Sequence, residues 1–153
     1  MKRSVAFSLV GLCILFTMTG RASAQGWRTW RAESVRFFAV DVYVNSLGMP
    51  LGAYQIEIAD PTGASRIVGI EGGGHRAFHE PPFYDRAALQ SNRVIIAAYS
   101  TLPQLPRSRT RVATLHLRVV GEIEPELLAL TQVAISAKGT KIPVTVHLEG
   151  VGP

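Results

Sequence analysis

The stretch from 35 to 46, VRFFAVDVYVNS, is the feature that most limits what this chain can fold into. Its even-numbered positions from Phe38 to Val44 are all apolar, whereas the positions between them include Asp41 and Tyr43. Such alternation places the apolar side chains on one face of an extended strand. The stretch therefore predicts a β-strand with one buried face.

The same alternation returns several times along the chain. After turn formers at 45–52, Tyr54, Ile56 and Ile58 alternate with small or polar residues, and an Asp-Pro-Thr-Gly turn follows. Further strands are predicted at 66–71, 93–100, 110–120, 126–137 and 141–149. Short strands at this spacing predict an all-β fold, an antiparallel two-sheet sandwich, with a closed barrel as the alternative. Because Pro143 cannot donate to a ladder, we expect an edge or a bulge where the last strand starts.

The segment from 75 to 90, HRAFHEPPFYDRAALQ, interrupts the strands. Two adjacent prolines exclude a central strand, and Asp85 can cap a short helical turn. We expect an irregular insertion that is packed by its three aromatic residues, Phe78, Phe83 and Tyr84.

The same insertion is rich in polar side chains, namely His75, His79, Glu80 and Asp85. Metal sites have a recognisable ligand spacing such as His-Glu-x-x-His, which is missing here, so we expect no metal and no cofactor. Gly-x-Ser-x-Gly and other hydrolase patterns are missing as well, so we expect no catalytic residues. An enzyme remains the alternative if two of these side chains converge.

The start of the chain has the pattern of a signal peptide at 1–24, with two basic residues, an apolar run and a small-residue cleavage site, Ala22-Ser23-Ala24. The apolar run is shorter than the roughly 20 residues of a membrane-spanning helix. We therefore expect export, to the periplasm or outside the cell, without stable membrane insertion. Lipid attachment at Cys13 is the alternative, but Leu12 stands where a small residue is needed.

Residues 25–34 are predicted to be an N-terminal arm, and residues 35–150 one domain. After removal of the signal, 13 basic and 11 acidic residues remain. So small a net charge does not indicate a nucleic-acid partner. The exported part has no cysteine, so its stability must come from burial and backbone pairing without disulfides.

Five stretches carry a resemblance to a known family, namely FFAVDVYVNSLGMPLGAYQIEIADPTG, RVIIAAYS, TRVATLHLRVVGE, LLALTQVAIS and IPVTVHLE. Together they resemble the cohesin family, whose jelly-roll sandwich is shared with certain cellulose-binding modules. The similarity covers residues 35–149 and implies a cohesin-like jelly roll with one irregular insertion.

The resemblance also implies a function. A cohesin is a non-catalytic receptor whose flat sheet face binds the paired helices of a dockerin, which joins secreted proteins of polysaccharide catabolism into assemblies. We therefore expect a dockerin-like protein partner. The candidate binding residues are Trp27, Trp30, Tyr43, Glu57, Tyr84 and Arg118.

Carbohydrate binding is the alternative function, because exposed aromatic rings stack on sugars. Its platform would come from Trp27, Trp30, Tyr43, Tyr54, Phe83, Tyr84 or Tyr99. A linear row of exposed aromatic residues would favour a sugar, whereas a mixed patch with few of them would favour a protein. The two tryptophans could instead cover one end of the sandwich.

Overall fold

The structure is a computed structural model that describes residues 33–122 and 124–151. This part of the chain contains nine strands, β1 to β9, and two short 3₁₀ helices, Arg76–Phe78 and Arg86–Ala88. The strands are Val35–Asn45, Leu51–Ala59, Ser65–Gly72, Phe83–Tyr84, Arg93–Tyr99, Arg109–Val120, Leu128–Ser136, Lys141–Ile142 and Thr145–Val151. The predicted signal peptide, Trp27 and Trp30 lie outside the described residues. In the described residues, no helix is long and apolar enough to cross a bilayer.

Two antiparallel sheets face each other and confirm the predicted all-β sandwich. The four-stranded sheet has the order β3-β6-β1-β9, and the five-stranded sheet has the order β4-β5-β2-β7-β8. Strand β1 is central in the first sheet and β2 is central in the second, so the turn at 46–50 carries the chain from one sheet to the other. The two alternating stretches recognised in the sequence are therefore the centres of the two sheets.

The core lies between these central strands and consists of the apolar side predicted for each. Val42 and Val44 of β1 and Ile56 and Ile58 of β2 are at most 1% exposed. Tyr54 is also buried, and its hydroxyl donates to the carbonyl of Val112 at 3.1 Å. Burial raises the pKa of the Tyr54 hydroxyl well above its usual value.

The segment predicted as one strand at 141–149 is in fact two strands in different sheets. Lys141–Ile142 pairs with β7 in the five-stranded sheet, whereas Thr145–Val151 pairs with β1 in the four-stranded sheet. Pro143 lies at the crossing, where a residue without an N–H interrupts no ladder. The expectation of an edge at Pro143 is thus correct, but that of one continuous strand is wrong.

The insertion at 75–90 contains the predicted helical turn but differs from the prediction in two ways: it includes the short edge strand β4, and one aromatic residue is exposed. Oδ1 of Asp85 accepts a hydrogen bond from the Ala87 N–H at 2.9 Å and caps the second 3₁₀ helix. Phe78 is buried and contacts the Tyr54 ring edge to face, with 5.3 Å between the centroids. The expectation that Phe83 plugs the sandwich is wrong: Phe83 is 69% exposed, because it pairs with Ala97 on the outer side of the sheet.

Candidate binding surface

The outer face of the five-stranded sheet exposes apolar side chains in neighbouring cross-strand positions. One row runs Tyr99, Ala53, Ile135, and the next runs Phe83, Ala97, Gln55, Val133. Phe83 and Tyr99 are 69% and 68% exposed, and their rings stack almost parallel, 6.3 Å apart at the centroids. This diagonal pair across two strands forms a raised aromatic ridge on the sheet.

A shallow depression of about 330 Å³ runs beside this ridge. Its walls are Phe83 and Tyr99 on one side and Val133 and Ile135 on the other, and its floor is Ala53, Gln55 and Ala97. We call these seven residues the apolar groove. The groove exists because its floor positions carry small or flexible side chains while the flanking strands carry large ones. A second depression of about 540 Å³ lies on the other side of Phe83, towards Ile95.

The groove ends at a polar cluster on the same face. Glu57 forms an ion pair with Arg93, and its Oε2 accepts a hydrogen bond from the Thr131 hydroxyl at 3.1 Å. The Glu57 side chain is only 12% exposed, whereas that of Arg93 is 61% exposed. The face therefore presents an apolar half and a polar half.

The outer face of the four-stranded sheet is charged, and several of its charges pair with each other. The Asp41 carboxylate accepts a hydrogen bond from the Thr114 hydroxyl at 2.6 Å and lies 3.3 Å from the Arg111 guanidinium. The Arg109 guanidinium lies over the Tyr43 ring, 3.8 Å from its centroid, and forms an ion pair with Glu149. Cations over an aromatic face are attracted by the ring quadrupole.

The six predicted binding residues do not come together at one place. Tyr43 and Arg118 lie on the outer face of the four-stranded sheet, whereas Glu57 lies on the outer face of the five-stranded sheet. Tyr84 packs against the core from β4, next to its exposed neighbour Phe83. Trp27 and Trp30 lie outside the described residues. The four described candidates thus lie on two opposite surfaces and against the core.

The polar side chains of the insertion are engaged mainly in local structure. Nδ1 of His75 accepts from the Ala77 N–H at 3.1 Å, so His75 and Asp85 each cap a 3₁₀ helix. His79 and Glu80 do approach each other, with 2.9 Å between Nε2 and Oε1, but their side chains are 61% and 80% exposed. In residues 33–122 and 124–151, no group of three or more metal-ligating side chains converges.

The sequence reasoning missed the aliphatic members of this surface, Ile95, Val133 and Ile135. A signal for Ile95 was present in β5, RVIIAAY, which is apolar at both its even-numbered and its odd-numbered positions. Val94 and Ile96 are buried, while Ile95 and Tyr99 point outward and are 46% and 68% exposed. A strand with two apolar faces that covers the core with only one of them leaves the other exposed to solvent.

Comparison of the chain with protein-family models, with curated proteins and with solved structures finds no match.

Proposed function

We propose that the protein is an exported, non-catalytic binding module that docks a protein partner on the apolar groove of the five-stranded sheet. The observation that carries the proposal is the contiguity of Phe83, Tyr99, Val133 and Ile135, which come from three strands and share one outer face. Monomeric domains rarely leave contiguous apolar patches on their surface unless these are functional. Aromatic anchors such as Phe83 and Tyr99 are typical of the residues that dominate binding energy.

The shape of the groove favours a helix as the docking element of the partner. Its walls lie on β4 and β5 on one side of β2 and on β7 on the other, so they are two to three strand spacings or about 10 to 15 Å apart. An α-helix with its side chains is about 10 to 12 Å across. A helix with an apolar stripe would rest on Ala53 and Ala97 between these walls. A polar residue on its next turn would reach Glu57 or Arg93.

The arrangement of aromatic residues favours a protein over a polysaccharide. In the described chain, the platform candidates scatter: Tyr54 is in the core, Tyr84 packs against it, and Tyr43 lies on the opposite sheet under Arg109. Phe83 and Tyr99 stack on each other, and aliphatic residues together with Gln55 make up the rest of the surface. This is the mixed patch expected for a protein partner, without a row of rings along one direction.

The proposal agrees with the resemblance to cohesins, which implies a helical, dockerin-like partner in extracellular polysaccharide breakdown. A sheet face of four or five strands is also large enough for a standard interface of about 800 Å² per partner. Carbohydrate binding is retained as an outcome of the test.

The test compares two phenylalanines that are exposed on opposite faces. Phe83 is 69% exposed on the five-stranded sheet, and Phe37 is 63% exposed on the four-stranded sheet. Wild-type protein, Phe83→Asp and Phe37→Asp are immobilised and exposed to culture medium of the source organism, with and without soluble polysaccharide. Bound proteins are then identified by mass spectrometry.

A partner that binds wild type and Phe37→Asp, is lost on Phe83→Asp and ignores the polysaccharide supports the proposal. Equal binding to both variants would refute the assignment of the apolar groove. Binding that disappears when polysaccharide is added would assign the protein to the carbohydrate-binding class.

A further inference from the structure

The first part of β7, residues 128–133, is exposed along its whole length. All six residues are exposed, whereas Ala134 and Ser136, further along the same strand, are buried. One edge of β7 pairs with β2, but β8 covers the other edge only at Ala134 and Ile135. Among the described residues, no strand pairs with the second edge of 128–133. The Gln132 side chain reaches across that edge and donates to the carbonyl of Val144 at 3.3 Å.

This open stretch lacks most of the devices that keep natural sheet edges from pairing. Its sequence, LALTQV, has no charged residue and no proline. Edge strands are normally protected by lysines, prolines or bulges, and an uncharged open edge is a template for another strand. The protective feature that is present is a bulge at Leu130, which has no partner on β2. The Leu130 side chain itself is apolar and 51% exposed.

We propose that this edge pairs with the same edge of a second copy of the chain, in antiparallel orientation about a two-fold axis near Leu130 and Thr131. In that register Leu128 of one copy faces Val133 of the other, so apolar side chains meet on the outer face. An isologous contact of this kind uses the same residues on both subunits and closes as a dimer. The two five-stranded sheets would join edge to edge.

The charges that flank β7 support pairing with a second copy of the chain in antiparallel orientation. Glu122, Glu124 and Glu126 precede β7, whereas Lys138 and Lys141 follow it. Antiparallel pairing brings the acidic end of one copy to the basic end of the other, while parallel pairing would oppose like charges. Glu124 already pairs with Arg36 at 2.8 Å, so Glu126 is the acidic residue that faces the second copy's lysines. Strand β8, which carries Lys141, also limits the open edge to six residues.

The length of the edge predicts a weak dimer. Six residues of strand span about 20 Å, and their ladder supplies about six hydrogen bonds between the chains. A contact of this size buries less than the roughly 800 Å² per partner of a standard stable interface. The dimer should therefore depend on protein concentration and dissociate on dilution.

This inference does not rest on the proposed function, because the edge of β7 and the apolar groove are tested with different variants. The experiment is sedimentation equilibrium of the purified protein over a wide concentration range, compared with Leu130→Glu. The control is Leu47→Glu, which introduces the same charge at a leucine that is 55% exposed in the turn after β1. Circular dichroism checks that each variant folds.

We expect a monomer–dimer equilibrium for wild type and Leu47→Glu and at least a tenfold weaker dimer for Leu130→Glu. Glu126→Lys and Lys141→Glu should each weaken the dimer, and the double charge swap should restore it. In wild type, hydrogen exchange at residues 128–133 should slow as concentration rises. A wild-type protein that stays monomeric at its solubility limit, or a Leu130→Glu variant that dimerises like Leu47→Glu, would overturn the proposal.

Discussion

The two outer faces of the sandwich differ in how far their side chains satisfy each other. On the four-stranded sheet, Asp41, Arg111 and Thr114 form a hydrogen-bonded group, and Arg109 pairs with both Tyr43 and Glu149. On the five-stranded sheet, Phe83 and Tyr99 are about two thirds exposed and contact mainly each other. These polar groups of the charged face have partners within the chain, although Phe37 is 63% exposed there and Arg118 Nε is buried with no hydrogen-bond partner among the described residues. The apolar face would gain free energy by being covered.

The comparison teaches that charge and aromatic residues in a sequence do not by themselves locate a binding surface. The outer face of the four-stranded sheet carries an aromatic residue, Tyr43, and a cation, Arg118. The charges of that face are nevertheless largely paired within the chain. The residues that distinguish the other face are the outward-facing aliphatic side chains Ile95, Val133 and Ile135, which lie opposite Glu57, Gln55 and Ala53 on β2. A binding surface is indicated by exposed side chains that lack contacts within the chain.

Removal of the Asp41 carboxylate should have the largest effect, and that effect should be on stability. Asp41 is 7% exposed and Thr114 is 6% exposed, so Asp41→Ala would leave a buried hydroxyl and the Arg111 guanidinium without their acceptor. We expect a loss of about 2.5 kcal/mol in the free energy of unfolding. Urea denaturation at neutral pH measures it.

The Asp41 variant also tests the proposed division of roles between the faces. Wherever the variant is folded, its affinity for a partner of the apolar groove should equal that of wild type. If affinity falls together with stability while the circular dichroism spectrum is unchanged, the charged face takes part in binding and the comparison fails.

The comparison of Phe83→Asp with Phe37→Asp should show the next largest effect, and that effect should be on partner binding. Phe83→Asp places a charge in the apolar groove, and we expect at least a tenfold weaker partner complex, or about 1.4 kcal/mol. Phe37→Asp should leave the dissociation constant within about twofold. Titration calorimetry with the captured partner measures both constants, and thermal melts show whether either variant is destabilised. A larger effect at Phe37 would reverse the assignment of the two faces.

The fold was predictable because buried and outward side chains alternate along a strand with a period of two residues. The candidate binding surface was not predictable in this way. Val40 to Val44 and Ile56 to Ile58 identify two half-buried strands without knowledge of their neighbours. In β4, however, the outward residue is Phe83 and the inward one is Tyr84, and only pairing with β5 decides which is which. An irregular insertion has no repeating pattern that shows which of its side chains point inward and which point outward. The groove also needs β2, β5 and β7 side by side, a neighbourhood set by tertiary packing.

The turn between β2 and β3 joins the two sheets and depends on one carboxylate. Both oxygens of Asp60 accept hydrogen bonds, including those from the Thr62 N–H at 3.0 Å and the Ser65 N–H at 2.8 Å. Desolvation by burial by itself raises the pKa of Asp60. The bonds from the side chains and backbone of Ser65 and Thr62 outweigh that effect and hold the pKa below its usual value.

A lowered native pKa gives Asp60 a defined pH dependence. Its contribution should be complete above the unfolded-state pKa of about 3.9 and should be lost as pH falls through the lower native value. We expect Asp60→Asn to be about 1 kcal/mol less stable than wild type near pH 7. The difference should shrink below about pH 4, in urea denaturation at matched pH values. A difference that is constant with pH would show that the ionised form is not what the turn requires.

The smallest effect is expected at the rim of the charged face. Arg109 and Glu149 are paired, but their side chains are 44% and 53% exposed, and solvent screening weakens such pairs. Arg109→Ala should therefore lower stability by only about 0.5 kcal/mol, most of it from the lost contact with the Tyr43 ring. A double-mutant cycle with Tyr43→Leu separates the ring contact from the ion pair. A coupling energy near zero would mean that the Arg109 and Tyr43 side chains touch without stabilising each other. The contrast between the charged face and the apolar face would then be weaker.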